Sequence, residues 1–197
     1  MTEQSNIPGD SEIRSALRSW LLGRHANERE SVLLEELGIC RGRVRIDLAV
    51  VNGSFHGYEI KSDRDSLRRL ERQAEIYSQV LDRVTLVVGE SHLREALPMV
   101  PTWWALLRVE QAPNSELRFR SVRRGRTNPR RDPRALAELL WLDDSISLLE
   151  ARDAVRGVRG KPRRVVWDRL CDLFEIDEIA LAVRARLKAR GGTQDSP

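Results

Sequence analysis

A chain of 197 residues, 41% hydrophobic and 32% charged, is long enough for one sizeable core or a core and a small appendage, and no apolar run approaches the ~20 residues that span a bilayer. The formal net charge of +4 hides a division: residues 1–90 hold 13 basic and 15 acidic side chains, whereas residues 91–197 hold 21 and 15. The basic half suits a polyanionic partner such as nucleic acid, and the two distant cysteines, Cys40 and Cys171, match no metal spacing and read as reduced thiols.

The opening segment "MTEQSNIPGDSE" is polar and lacks the apolar stretch of a signal peptide, so a cytoplasmic protein is expected. Residues 1–10 read as a disordered lead-in. Asp10 or Ser11 caps a helix over about 11–25, with Ile13, Leu17, Trp20 and Leu21 at helical spacing. Strands follow at 31–39, 43–51 and 55–62, the last two separated by the turn signal Asn52-Gly53-Ser54. Ser62, Asp63 or Asp65 then caps a helix over about 66–82, whose apolar positions Leu67, Leu70, Ala74, Tyr77 and Leu81 form one face. A β-branched strand at 83–90, a short helix at 91–97 and a strand at 102–110 complete a core unit spanning 11–112. The first six elements therefore run α-β-β-β-α-β. Residues 113–132 read as an arginine-rich linker or loop; from Arg118 to Arg134 there are eight arginines and one acid. A helical region over 133–190, punctuated by Gly157, Gly160 and Pro162, precedes a disordered tail at 191–197.

The chemistry concentrates in "RIDLAVVNGSFHGYEIKS". Asp47 lies inside one apolar strand, and Glu59 and Lys61 lie two apart inside the next, so the last two share a face. Of the 34 basic residues only Lys61, Lys161 and Lys188 are lysine, which makes a lysine in a strand informative. If the two strands form an antiparallel hairpin with a three-residue loop, Asp47 faces Glu59. A two-residue turn would send them to opposite faces. Two carboxylates on one face repel unless a cation lies between them, and all-oxygen ligation favours Mg²⁺ or Mn²⁺. A neighbouring lysine can deprotonate water or stabilise a charged phosphate. An edge-strand salt bridge is the competing explanation for Glu59 and Lys61.

Asp47, an 11-residue gap and Glu59-Ile60-Lys61, set in α-β-β-β-α-β order, resemble the PD-(D/E)XK, or restriction-endonuclease-like, nuclease superfamily. The stretch through "SDRDSLRRLERQAEIYSQV" resembles small uncharacterised bacterial members of it. The resemblance implies an α/β fold with a mixed sheet, here followed by a small all-helical C-terminal region, and a metal-dependent nuclease hydrolysing DNA. It places metal ligands at Asp47, Glu59 and the Ile60 backbone carbonyl, and the water-activating group at Lys61. Ile46 stands where the motif usually has proline. Many members add an upstream glutamate, for which Glu36 is favoured over Glu35. Some carry a glutamine and tyrosine four apart on the next helix, as Gln73 and Tyr77 are, so Gln73 joins the catalytic set. Repair, defence against foreign DNA and mobile-element processing are the implied settings.

Asp63 and Asp65 read as helix caps rather than ligands, and His25, His56 and His92 as surface or turn residues. Trp103 and Trp104 read as core or a domain seam. Arg123, Arg124, Arg126, Arg130, Arg163 and Arg164 are the candidate phosphate contacts, with a solvated loop as the equal alternative for the first four. No base-reading pattern is visible. A non-catalytic nucleic-acid-binding protein is the second function these residues allow.

Overall fold

The structure is a computed structural model, and it describes residues 7–191. Of the disorder expected at residues 1–10 and 191–197, residues 1–6 and 192–197 lie outside the described residues, whereas Asp10 opens α1 and Gly191 closes the last helix. Helix α1 (Asp10–Arg24) begins one residue early, because the Gly9 backbone N–H donates to Glu12 Oε2 at 2.8 Å and so caps the first turn. Its buried stripe is Ile13, Leu17 and Leu21.

Strands β1 (Val32–Ile39), β2 (Val44–Val51), β3 (Phe55–Lys61), β4 (Arg83–Val88), β5 (Ala105–Gln111) and β6 (Leu117–Arg123) form one sheet in that spatial order. The β1–β2, β2–β3 and β5–β6 pairs are antiparallel, and β3–β4 and β4–β5 are parallel. The parallel steps require crossovers. Helix α2 (Leu70–Val80), entered through a single 3-10 turn at Leu67–Arg69, makes the first, and α3 (Leu93–Met99) the second. The helix expected at 66–82 is thus shorter. Its cap is Ser66, whose side chain accepts from the Arg68 N–H. Asp63 and Asp65 are not caps. Asp65 Oδ2 accepts from the backbone and hydroxyl of Ser62, and Asp63 Oδ1 from those of Ser91. Both brace the turns that leave β3 and β4.

Helices α4 (Pro133–Ala137), α5 (Leu142–Glu150), α6 (Arg163–Leu173) and α7 (Ile176–Gly191) follow. One correction to the expected organisation arises here. The arginine-rich segment is not only a linker, because its first half is strand β6 at the sheet edge. The helices pack on the sheet. Leu136, Leu149, Trp167, Leu170, Val183 and Leu187 share one apolar cluster with Leu34, Leu37, Tyr77 and Trp104 on one face of the sheet. The opposite face is smaller, with α1 covering Leu48, Val50, Tyr58, Ile60 and Val87. Strand β4 is therefore buried on both faces, which is why its sequence is a continuous apolar run.

One polar knot fastens the helices to the sheet. Asp82, between α2 and β4, accepts from the Phe55 N–H at 2.7 Å, from Arg131 at 2.6 Å and from Arg184 of α7 at 3.3 Å. Asn128 adds hydrogen bonds to the carbonyls of Ser78 and Leu81 at 2.7 and 2.8 Å. Replacing Asp82 by alanine strands two mostly buried guanidinium groups and a strand-end N–H. The expected loss is about 3 kcal/mol, or roughly 10 °C in midpoint, read by thermal unfolding.

Candidate active site

The hairpin register is the one a three-residue loop requires. Leu48 pairs with Tyr58, Ala49 with Gly57, Val50 with His56 and Val51 with Phe55. Asn52 closes the loop by accepting from the Ser54 N–H at 2.9 Å. The next pair in sequence would be Asp47 opposite Glu59, but the ladder stops one step short of it.

The reason lies in β1 and β2. Ala49 and Val51 face the large cluster, yet so does Ile46, an odd step away; likewise Leu34, then Leu37 and Ile39. Both strands change face at the facing positions Glu36 and Asp47, and Glu36 takes a positive φ of 50° to do so. Regular alternation would have sent Ile46 to the other side. The kink lets the Ile46 side chain cover Gly57, where an added Cβ would lie 2.1 Å from Ile46 Cδ1. It also parts β2 from β3 at Asp47.

Asp47 fills that opening. Its Oδ2 accepts the Ile60 N–H at 2.7 Å, and its Oδ1 the Arg14 guanidinium at 2.8 Å. Burial, and then the charge of Glu59, push its carboxyl up to about 6, against the opposing Ile60 N–H and Arg14. The Glu59 charge is thus felt at Asp47, while Asp47 itself is tied to α1 through Arg14.

Glu59 and Lys61 are 2% and 6% exposed, and Lys61 Nζ donates to Glu59 Oε1 at 2.5 Å. Gln73 Nε2 donates to the same oxygen at 2.5 Å, and the Tyr77 hydroxyl donates to Glu59 Oε2 at 2.5 Å. That hydroxyl also lies 2.8 Å from the Arg45 carbonyl. Burial, and then Glu59, raise the Tyr77 phenol far above its ordinary value, so it remains a proton donor. The i,i+4 spacing of Gln73 and Tyr77 thus presents both to one carboxylate. Tyr77 is also core, stacked on Trp104 with centroids 6.0 Å apart.

The upstream glutamates have different partners. Glu36 reaches Arg14 and Arg45, joining the Asp47 side of the site through Arg14, whereas Glu35 pairs with Arg18 of α1 at 2.7 Å. Sequence reading missed Arg14. It sits four residues after Asp10 on α1 and binds Asp10, Glu36 and Asp47 together. Nothing local in the sequence marks it, since its partner Asp47 is 33 positions away.

Among the described residues no group of three or more His, Cys, Asp or Glu side chains converges to hold a metal ion. The donor chemistry nonetheless suits a hard cation in three respects. Asp47 is buried beside the Glu59 charge, and both raise its carboxyl. Gln73 Oε1 is buried beside Glu59 with no hydrogen-bond partner. The Lys61 carbonyl accepts from Gly89 on the β4 side. Since carbonyl directions alternate along a strand, that of Ile60 faces the opening that holds Asp47.

The other candidates are elsewhere. Arg123 donates to the Trp104 and Pro101 carbonyls at 2.8 and 2.9 Å, so it is a strut of β6 rather than a free phosphate contact. Arg124, Arg126 and Arg130 are exposed, as are Arg163 and Arg164 at the start of α6. His56 is no turn residue. It lies on β3 with its Nε2 2.8 Å from the Thr85 hydroxyl, and burial holds it neutral, its pKa down to about 3. Trp104 is fully buried, as core.

Fold and site together define an α/β protein whose six-stranded mixed sheet carries a buried Glu–Lys pair and a coupled aspartate at one hairpin. The chain belongs to the bacteriophage P4 protein cII family, whose model matches residues 4–196. One curated relative, "Protein cII" of Enterobacteria phage P4, is 32% identical over 117 residues. That match covers 59% of this chain and 44% of the relative, so the chain spans less than half of that protein. Two solved structures are distantly alike. The SPO1766 protein of unknown function from Silicibacter pomeroyi is 22% identical, with 72% of this chain and 90% of that one covered and a TM-score of 0.40. Pyrococcus furiosus SfsA in complex with Ca²⁺ is 14% identical, with 59% and 65% covered and a TM-score of 0.37. Likenesses this remote assign neither site nor activity. No described helix is long and apolar enough to cross a membrane.

The Asp47 carboxyl sets a pH dependence. Unfolded aspartate titrates near 3.8, and the native group holds its proton to about 6. As pH rises between those values the unfolded state loses the proton first, so stability falls across that window and this group adds no slope above it. In chelator, Asp47→Asn removes that slope and is expected to gain roughly 2 kcal/mol near neutral pH, read by urea unfolding at both ends of the window. A variant less stable than the parent would make Asp47–Arg14 a structural ion pair.

Proposed function

We propose that the protein is a divalent-metal-dependent nuclease that hydrolyses DNA phosphodiester bonds. The observation that carries this is the buried Glu59–Lys61 pair on β3, with Asp47 in the adjoining opening of the hairpin taking the Ile60 N–H. Asp47, Glu59 and the Ile60 carbonyl would hold Mg²⁺ or Mn²⁺, with Glu36 alongside once Arg14 swings away. The ion would neutralise phosphate charge and acidify a bound water.

The side chains supply the rest. Lys61 is a compact cation with three N–H donors, one of them held by Glu59. The others are available to a scissile phosphate oxygen or to the attacking water. Gln73 and Tyr77 fix the Glu59 carboxylate and keep it from rotating. Gln73 Oε1, buried without a partner, could accept a hydrogen bond from a water at that position. Arg14 offsets the negative charge of Asp10, Glu36 and Asp47, which a metal ion would otherwise have to meet. Of the three settings, mobile-element processing suits a family typified by a phage protein.

A second reading has its own observation. Glu59 already receives three donors, and Arg14 already serves Asp47 and Glu36. A protein that kept the fold and only binds nucleic acid would look like this too. Calorimetric titration with Mn²⁺, followed by incubation with linear, nicked, single-stranded and branched DNA, separates the two. A nuclease binds the ion in the parent and not in Asp47→Asn, and Lys61→Ala lowers cleavage at least about a hundredfold while retaining DNA binding. A parent that binds DNA without binding Mn²⁺ supports the second reading.

The exposed arginines beyond β6 give a separate expectation. Replacing Arg124, Arg126 and Arg130 by alanine weakens duplex binding alike for all sequences. Each lost phosphate contact flattens the log affinity against log salt slope by about 0.9. A slope equal to the parent's makes that segment a solvated loop.

A further inference from the structure

Away from the hairpin, the C-terminal helices and the β1–β2 turn enclose a cleft of about 650 Å³, a size common for ligand sites. Its lining joins cations to indoles: Arg41, Arg163 and Arg164 with Trp141 and Trp167. The one acid in the lining, Glu138, is paired with Arg134 at 3.3 Å. Arg134 also binds Asp168, and so contributes little net charge. Arg41, Arg163 and Arg164 are exposed and have no acidic neighbour within ion-pair reach among the described residues.

The two indoles have different states. Trp167 is 4% exposed, and its Nε1–H has no acceptor among the described residues. A buried donor without a partner is costly, and an acceptor brought by a ligand would relieve it. Trp141 is the reverse, a large aromatic left 55% exposed. The Arg186 guanidinium stacks on its ring 3.6 Å from the centroid and is itself held by Asp144 at 3.0 Å. The Arg190 guanidinium lies further off, 5.9 Å from the same centroid, so the exposed ring is a held platform rather than a loose surface residue.

We propose that this cleft binds single-stranded nucleic acid, with a phosphate on Arg41, Arg163, Arg164 and the Trp167 N–H, and an unpaired base stacked on Trp141. Donors for an anion beside a fixed aromatic face are the two elements that single-strand binders combine. A paired base in a duplex offers its neighbours, not its face, so Trp141 selects for an unpaired one. The inference rests on a nucleic-acid ligand for this chain and not on cleavage by the hairpin site.

The test is fluorescence anisotropy of a labelled oligothymidylate and a labelled duplex, in chelator so that nothing is cut. Trp141 starts α5 through its backbone alone, its N–H to Asp144 and its carbonyl from Ser145, so Trp141→Ala leaves that helix intact. It should weaken oligothymidylate binding about tenfold and leave duplex binding unchanged. Trp167→Phe keeps the buried ring, deletes the N–H and should weaken the same binding about tenfold. Arg163→Ala with Arg164→Ala should flatten the single-strand salt slope by about 1.4. Unchanged oligothymidylate affinity in all three, with parental melting curves, overturns the proposal, as does equal loss on the duplex. Failure of the parent to cleave any substrate with Mn²⁺ would end the nuclease reading and leave this result standing.

Discussion

A glutamate at 2% exposure in a central strand is tolerable only if every lone pair it turns inward is met. Here Lys61 comes from the same strand, and Gln73 and Tyr77 from the crossover helix that leads to β4. The position of α2 over the sheet is therefore a polar constraint as well as an apolar one. Ala74, Tyr77 and Val80 press into the core, and Gln73 and Tyr77 lock the helix in rotation by gripping one carboxylate. The stack of Tyr77 on Trp104 carries that register on to β5.

The neighbouring opening works by a different economy. The kink at Glu36 and Asp47 forfeits one rung of the ladder, and Asp47 recovers it by taking the Ile60 N–H with a side chain. Its remaining oxygen meets α1 through Arg14, so the helix on the minor face is tied to the same place as the helix on the major face. Asp47 and Glu59 thus sit at the one point where both layers and three strands meet.

Much of this was legible. Asn52-Gly53-Ser54 allowed a three-residue loop, whose register follows from arithmetic, and the four-residue spacing of Gln73 and Tyr77 fixed their common face. What was hidden depended on distance or on masking. Arg14 is one arginine among 31 and acquires meaning only when α1 crosses β2. Strand β6 does alternate, Leu117 and Phe119 inward against Arg118 and Arg120, but its cations gave it the composition of a loop. Such charge on an edge strand discourages pairing with another chain. The positive φ of Glu36 had no glycine to announce it. Arg123 could not be told from Arg124 until one was found gripping main-chain carbonyls.

Helix α7 lies against the first strand. A methyl group added at Gly191 would sit 2.0 Å from Val32 Cγ1, and Leu187 shares a cluster with Leu34 and Leu37. During synthesis the underside of β1 therefore waits, uncovered, until α7 has left the ribosome. Asp82 waits as well, since its partner Arg184 is 102 residues further on. Contacts that span so much chain fold late and slowly. The half that carries the hairpin emerges first, and the large face of its sheet is completed by side chains from the basic half.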